Sequence, residues 1–235
     1  MLPPFFPKLG AVLAVVFFVF TVGGAGFFAL TGEEDHHEKA PSSVAAEREI
    51  ISSVEADKTN TATKTPWGWT IVKEDSRIGF TAEVQGKPFA GEFTDFTGEI
   101  IFNPDDLSQS HADVRVQIVS IRSGSPERDE YIRMPAWMDA TAFPEARFVS
   151  DRFEHRNGEE YVVHGALTLR GVSKAMAVPF HLSLTEDDAG RQEARMRGHF
   201  DLSRLDFGIG GGEWADPETV AHSVRVDMAL VAVRK

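Results

Sequence analysis

Alternating apolar and polar residues, turn signals between them and a single helical interruption predict an all-β fold. The expected architecture is a closed antiparallel barrel of about eight strands with a short helical insertion, preceded by one N-terminal transmembrane helix. Met176, Val178, Phe180, Leu182 and Leu184 alternate with Ala177, His181, Ser183 and Thr185. Met196, Gly198, Phe200 and Leu202 alternate with Arg195, Arg197, His199 and Asp201, and Val224, Val226, Met228, Leu230 and Ala232 with Arg225 and Asp227. A period of two marks strands with one dry and one wet face, as in antiparallel sheets.

Three segments follow in order. Residues 9–30 carry no charge, and at a rise of about 1.5 Å each they span roughly 33 Å, enough to cross a hydrocarbon core. Lys8 precedes them and Glu33, Glu34, Asp35 and Glu38 follow, an asymmetry that places everything after residue 30 outside the cytoplasm. Gly24-Ala25-Gly26 lies within the run and offers a cleavage site, so a signal peptide is the rival reading. Either way the rest of the chain is exported. Residues 31–66 are polar, poor in aromatics and unable to bury enough surface to fold, which predicts a disordered tether. Residues 67–235 carry the barrel. Strands are expected near 69–74, 77–84, 89–95, 97–103, 114–118, 145–154 and 160–170 in addition to the three alternating runs. Asn103-Pro104-Asp105-Asp106, Asn157-Gly158 and Asp187-Asp188-Ala189-Gly190 supply turns. Ser125 followed by Pro126 opens the helix, and Pro135–Asp139 suggests a second helical turn.

Composition removes several function classes. The chain has no cysteine, so thiol redox chemistry and thiolate metal sites are excluded, and an exported domain must be held by its core alone. A net charge of -12 disfavours nucleic acid as a partner. There is no phosphate loop, no G-x-S-x-G and no H-E-x-x-H, and no carboxylate pair stands out as an acid–base couple. Five histidines (His155, His164, His181, His199 and His222) fall on different strands without ligand spacing, and His36-His37 sits in the polar tether, so no metal site is expected. Gly208–Gly212 reads as a mobile turn.

Read in order, the segments resemble the YceI-like family of exported, lipocalin-like, polyisoprenoid-binding proteins. Trp69-Thr70-Ile71 with Asp75–Phe80 resembles its first two strands, and Phe89–Phe93 with Gly98–Pro104 the next hairpin. Ser120–Gly124 leading to Arg128-Asp129-Glu130-Tyr131 is similar to its strand-to-helix passage. Trp137-Met138-Asp139 with Phe143–Phe148 resembles the W-F-D…F-P-x-A-x-F block. Gly165–Lys174 is its most specific signature, and Ser203–Gly208 resembles R-x-D-F-G. The tail Gly210–Asp216 is similar to a subgroup associated with membrane b-type cytochromes. Many relatives carry a histidine after the second strand where this chain has Ala82–Gly86.

The resemblance implies a lumen holding the isoprenoid tail of an isoprenyl diphosphate or a quinone. Burying each five-carbon unit would contribute very roughly 3–4 kcal/mol. Inward residues near the helical interruption are the candidate ligand contacts: Phe80, Phe93, Met138, Phe143, Phe148, Leu167, Leu169, Met196, Phe200 and Phe207. Alternation by itself points instead to a solid barrel filled by these side chains. Arg128, with Asp129, Arg133 and Asp139, would grip an oxyanionic head if this region is the mouth, or else would pin the helix as an ion-pair cluster. Arg204 and Asp206 read as structural, the acid capping a turn and the arginine pairing nearby.

The function read from these features is an exported, non-enzymatic lipid carrier or store. It would be periplasmic and tethered to the inner membrane, with no resident cofactor beyond a bound isoprenoid or quinone and an integral b-type cytochrome as a candidate partner. Two rivals stand beside it: a redox accessory module binding haem or quinone for that cytochrome, and a ligand-free stress-protective module.

Overall fold

The computed structural model describes residues 67–235, so the anchor over 9–30 and the tether over 31–66 lie outside the described residues. Among the described residues no helix is long and apolar enough to cross a membrane. The strands are β1 (Gly68–Ile71), β2 (Arg77–Val84), β3 (Lys87–Phe93), β4 (Phe96–Ile101), β5 (His111–Gln117), β6 (Ile121–Arg122), β7 (Glu145–Asn157), β8 (Glu160–Leu169), β9 (Val172–Glu186), β10 (Gln192–Ser203) and β11 (Ser223–Arg234). One α-helix, α1 (Pro126–Arg133), joins β6 to β7.

Eleven segments make an eight-stranded barrel because three of its strands are broken. β1 and β2 are two halves of one strand, as are β3 and β4, and β5 and β6. β11 pairs with both halves of the first: Ile71↔Ala232 near one end, Phe80↔Val226 near the other. All ladders are antiparallel, and the β1–β11 pairing closes the sheet on itself. A closed sheet has no free edge and encloses an interior, which at eight strands is just wide enough for side chains or one small ligand.

Side chains satisfy backbone groups at two of these breaks and at a bulge. Where β1 turns away after Ile71, the Ser76 hydroxyl accepts from Val231 N (2.9 Å) and donates to Val72 O (2.7 Å), standing in for a ladder bond. Thr94 Oγ1, between β3 and β4, donates to Ser120 O at 3.1 Å. At the bulge in β7 the buried Ser150 hydroxyl accepts from Ala112 N at 2.8 Å. Short polar side chains able to reach backbone groups explain why a strand read over 69–74 stops at Ile71.

The helix begins as its sequence dictates. Ser125 Oγ accepts from Arg128 N, with Pro126 at the first position. Pro135–Asp139 forms turns rather than a second helical element, since Asp139 adopts φ 48° and its N–H bonds back to Met134 O. At Asn103 the side-chain oxygen accepts from Asp105 N (3.0 Å), the turn that Asn-Pro-Asp-Asp signals.

Glycines on the inward face sit under aromatic rings. A Cβ on Gly91 would lie 2.4 Å from Phe80 Cζ, and one on Gly165 would lie 2.2 Å from Val149 O and 2.8 Å from Phe148 Cζ. Gly165→Ala is therefore expected to lower stability by about 3 kcal/mol, seen as a melting temperature roughly 6–12 °C lower by calorimetry. Gly211 provides the contrast, with negative φ and no atom within 4 Å of the point a Cβ would occupy: Gly211→Ala should melt unchanged.

Candidate functional site

Burial along the inward face changes from one end of the barrel to the other. Towards the hairpin linking β9 to β10, the inward residues Val178, Phe180 and Leu182 of β9, Ala194 of β10, and Leu230 and Ala232 of β11 are all buried. Towards the end carrying α1, the same faces bear Met176, then Met196, Phe200 and Leu202, then Val224, Val226 and Met228, all only half-buried. Phe148 and Leu167 are half-buried as well. These side chains pack against the core on one side yet keep accessible surface inside a closed barrel. In a solid interior at crystal-like packing density, inward side chains this size would be sealed. Half-burial on several adjacent strands marks an open lumen lined by apolar groups.

The lumen has an aromatic floor. Phe102, Phe153, Phe180 and Tyr161 form a closed cycle of ring contacts with centroids 5.5 Å (Phe102–Phe153), 6.3 Å (Phe153–Phe180), 5.6 Å (Tyr161–Phe180) and 5.5 Å (Phe102–Tyr161). Three of the contacts are edge-on and one is stacked, the geometries favoured by ring quadrupoles. Trp69 Nε1 donates to Phe102 O at 3.1 Å. Burial, reinforced by the carboxylates of Asp105 and Glu159, holds the Tyr161 hydroxyl above its ordinary pKa, so the group stays neutral.

The opposite end is capped by α1, the turns after it, and the stretch from Arg204 to Trp214. Ile118, Met138, Ala140, Leu169, Phe207 and Ile209 form its buried core. Arg204, 2% exposed, organises it. Its Nε donates to Ala221 O (3.0 Å), Nη1 to Ile209 O (2.9 Å) and Gly210 O, and Nη2 to Trp214 O (2.5 Å) and Val220 O (2.8 Å). The expected acidic partner is thus replaced by five backbone carbonyls, which match the five donors of a guanidinium. Burial draws its pKa below the usual arginine value, and arginine retains its charge even so. Asp206 is exposed in the neighbouring 3-10 turn. The glycine-rich stretch is no loose turn either. Gly210 is buried with φ 61°, and its N–H donates to Ala136 O at 2.9 Å. Arg170 ties the cap to the barrel through Gly208 O (2.7 Å) and Pro135 O (2.8 Å).

The charged set around α1 turns largely toward backbone. Asp129 accepts from Ser123 N at 2.8 Å and Arg133 donates to Ile121 O at 3.1 Å. Arg128 donates to Ser123 O at 3.1 Å and lies 4.3 Å over the Phe89 ring, and burial lowers its pKa. Phe89 meets Phe80 edge-on at 6.1 Å, and Phe80 meets Phe93 at 5.8 Å, so Arg128 stands at the outer end of an aromatic path into the barrel.

The candidate contact residues divide between wall and packing. Phe93, Phe148, Leu167, Met196 and Phe200 line the lumen and keep accessible surface. Met138, Leu169 and Phe207 belong to the packed cap, Phe207 with 2% exposure, and Phe80 is buried beneath Phe89 and Phe93. Phe143 packs against the β8–β9 turn, where a Cβ on Gly171 would lie 2.7 Å from its ring. Sequence alone does not single out the floor residues Phe102, Phe153, Tyr161 and Phe180. The alternation places Phe180 inward, but the ring cycle joins residues up to 78 positions apart, from Phe102 to Phe180, and no local pattern encodes it.

Titratable groups decorate the outside. His164 pairs with Glu154 (3.2 Å) and His181 with Glu159 (2.9 Å), on positions opposite to the inward faces of β8 and β9. No group of three or more potential metal ligands occurs among the described residues. Across β5 and β7, Asp113 takes Arg147 Nη2 at 2.6 Å and Arg115 Nη2 at 3.3 Å. Arg147 chiefly holds the Asp113 carboxyl below its ordinary pKa, against the opposing effect of partial burial.

A family model described as a YceI-like domain matches residues 69–232. A UPF0312 protein of Shewanella sp. (strain ANA-3) is 28% identical over 171 residues, covering 71% of this chain and 87% of that protein. Another, from Shewanella oneidensis, is 31% identical over 146 residues, covering 62% and 74%. Among solved structures, Burkholderia cenocepacia BcnA superposes with a TM-score of 0.62 at 27% identity, over 68% of this chain and 98% of that one. A polyisoprenoid binding domain from Saccharophagus degradans, implicated in plant cell wall breakdown, has the same fold, with a TM-score of 0.55 at 15% identity over 71% and 98%.

Two measurements check this anatomy. Arg204→Met orphans five carbonyls, three of them buried, and is expected to remove roughly 3–5 kcal/mol, with proteolytic nicking appearing between residues 208 and 222. Arg204→Lys should recover less than half, because one ammonium cannot span the same carbonyls. The Asp113–Arg147 pair stabilises the fold above the unfolded aspartate pKa of about 4 and is lost as pH falls through the lower folded value. Melting temperature should therefore drop less between neutral and strongly acid pH in Asp113→Asn than in the parent.

Proposed function

The chain belongs to the YceI-like family, and from that premise we propose that it binds an isoprenoid lipid and carries or stores it without chemical change. The tail occupies the apolar lumen along Phe148, Leu167, Met196 and Phe200. The head, a diphosphate or a quinone ring, lies at the capped end beside Arg128. The single observation carrying this reading is the band of half-buried inward side chains in a barrel whose ladder is closed. The polyisoprenoid-binding description of a protein with the same fold supports the ligand class. At about 0.8 kcal/mol per buried carbon, three or four isoprene units exceed typical association costs without polar help.

Export and tethering follow from the charge pattern around residues 9–30 and would hold the barrel near the bilayer that supplies its ligand. The association with an integral b-type cytochrome belongs to the same proposal and rests on the likeness of Gly210–Asp216. Haem as the ligand has less behind it, since His164 and His181 occupy outward positions.

Protein purified from its own host, extracted with organic solvent and analysed by mass spectrometry, should yield a prenyl lipid at near-stoichiometric amounts. Phe200→Trp, which fills the lumen, should abolish retention while leaving the melt intact. Arg128→Gln removes a charge-assisted contact and should weaken a prenyl diphosphate roughly 10–100-fold while changing the corresponding prenyl alcohol little. An empty barrel in repeated preparations, with no binding of added prenyl lipid, would refute the carrier reading.

A further inference from the structure

We infer that the ring cycle of Phe102, Phe153, Tyr161 and Phe180 is a chain-length stop, making the lumen blind and selective for short prenyl chains. The inference rests on the lipid-binding reading above and goes beyond it by assigning specificity to residues outside the lumen's open part. Three observations carry it. First, on neighbouring strands the inward residues pass from half-buried to buried towards the β9–β10 hairpin: between Met176 and Val178 on β9, Met196 and Ala194 on β10, and Met228 and Leu230 on β11. Met196 pairs with the buried Leu182 and Leu230, and Ala194 with Leu184 and the buried Ala232, so the boundary is stepped, reaching one inward position deeper on β10 than on β11. Second, the rings beyond it touch in a closed loop, each contacting two others, so displacing one requires moving the rest. Third, the rings are fixed to ladder-bonded strands: Phe153 lies opposite Val163, and Tyr161 opposite Phe180.

The depth above the floor follows from strand geometry. On β10 the half-buried inward positions run from Met196 to Leu202. Six steps of about 3.3 Å, on strands tilted roughly 40° to the axis, give ~15 Å of open lumen. An isoprene unit contributes four chain carbons at bonds of about 1.5 Å, or ~5 Å when extended. An extended tail therefore meets the floor after about three units. Longer tails must fold back or leave part of their surface in water.

The test is a titration series with geranyl, farnesyl, geranylgeranyl and octaprenyl diphosphates on the purified full-length chain, by calorimetry and native mass spectrometry. Affinity should rise roughly tenfold or more from geranyl to farnesyl and then level off. Two variants thin the floor, Phe153→Ala at a half-buried site and the milder Phe180→Leu, each accepted only if its melt remains cooperative. Both should carry the rise on to the geranylgeranyl chain. Met228→Trp, directly above the floor, should move the break the other way. Affinity that climbs unabated to the octaprenyl chain in the parent overturns the stop. So does a break that stays in place in both floor variants. Failure of every chain to bind is a different outcome, which removes the lipid-carrier reading itself and this inference with it.

Discussion

β11 pairs twice along one edge, with β1 towards its C-terminal end and with β2 towards its N-terminal half, and the whole interior exists because of it. Without that seam the sheet would be open, its inward face would be solvent-exposed, and no apolar lumen could persist. Two facts make the double pairing possible. The first strand breaks at Val72–Ser76, so its two halves can follow the coiling that an eight-stranded closure demands. The Ser76 hydroxyl then accepts from Val231 N, so that donor keeps a partner at the break. A longer uninterrupted first strand would lack the bend. A residue without a short polar side chain at that position would leave Val231 N without its acceptor.

Closure creates volume, and the side chains decide where it stays empty. Half of the interior is filled by large rings joined edge to face and backed by Trp69. In the other half, Met196, Met228, Phe148 and Phe200 line the wall and keep accessible surface. Met196 and Met228 sit at this boundary with partial exposure. Unbranched thioether chains adapt their shape to what they contact at little energetic loss, which suits the proposed prenyl ligand.

Much of this is legible in the sequence, because the information is local. Period-two alternation identifies which residues of β9, β10 and β11 face inward, since the pleat alone fixes that. Ser125-Pro126 marks the helix start, and Asn103 the turn. What is not legible depends on pairs distant in the chain. The bulge at Ser150 and the break at Ser76 come from closure of the whole barrel. An isolated arginine usually finds an acid, so Arg204 reads as ion-paired. Its true partners are carbonyls offered by two loops whose shapes are set only in the folded state. Gly208–Gly212 reads as mobile for the same reason: glycine content indicates permitted conformations, whereas tertiary bonding selects one. Phe207 and Met138 do point into the protein. Periodicity cannot say that they pack the cap rather than line the lumen.

The two ends of the lumen are held by different sets of contacts. At the floor, the rings project from strands bonded on both sides or are anchored by Trp69, so opening it would break ladder and apolar contacts together. At the cap, the covering segments between Gly208 and Ala221 make few ladder bonds of their own. They are held by the Arg204 and Arg170 guanidiniums bonding to carbonyls, by backbone bonds from Gln85 N to Thr219 O and from Ala221 N to Glu83 O beside the pairing of Val84 to Val220, and by burial of Ile209 and Val220. Carbonyls released from an arginine can be taken up by water, whereas separated apolar rings have no such substitute. Opening the cap would release these hydrogen bonds to water and uncover the apolar cluster around Phe207 and Ile209, while opening the floor would separate the joined rings. A prenyl tail taken up as proposed would pass the hydrogen-bonded cap beside Arg128 and advance towards the ring cycle.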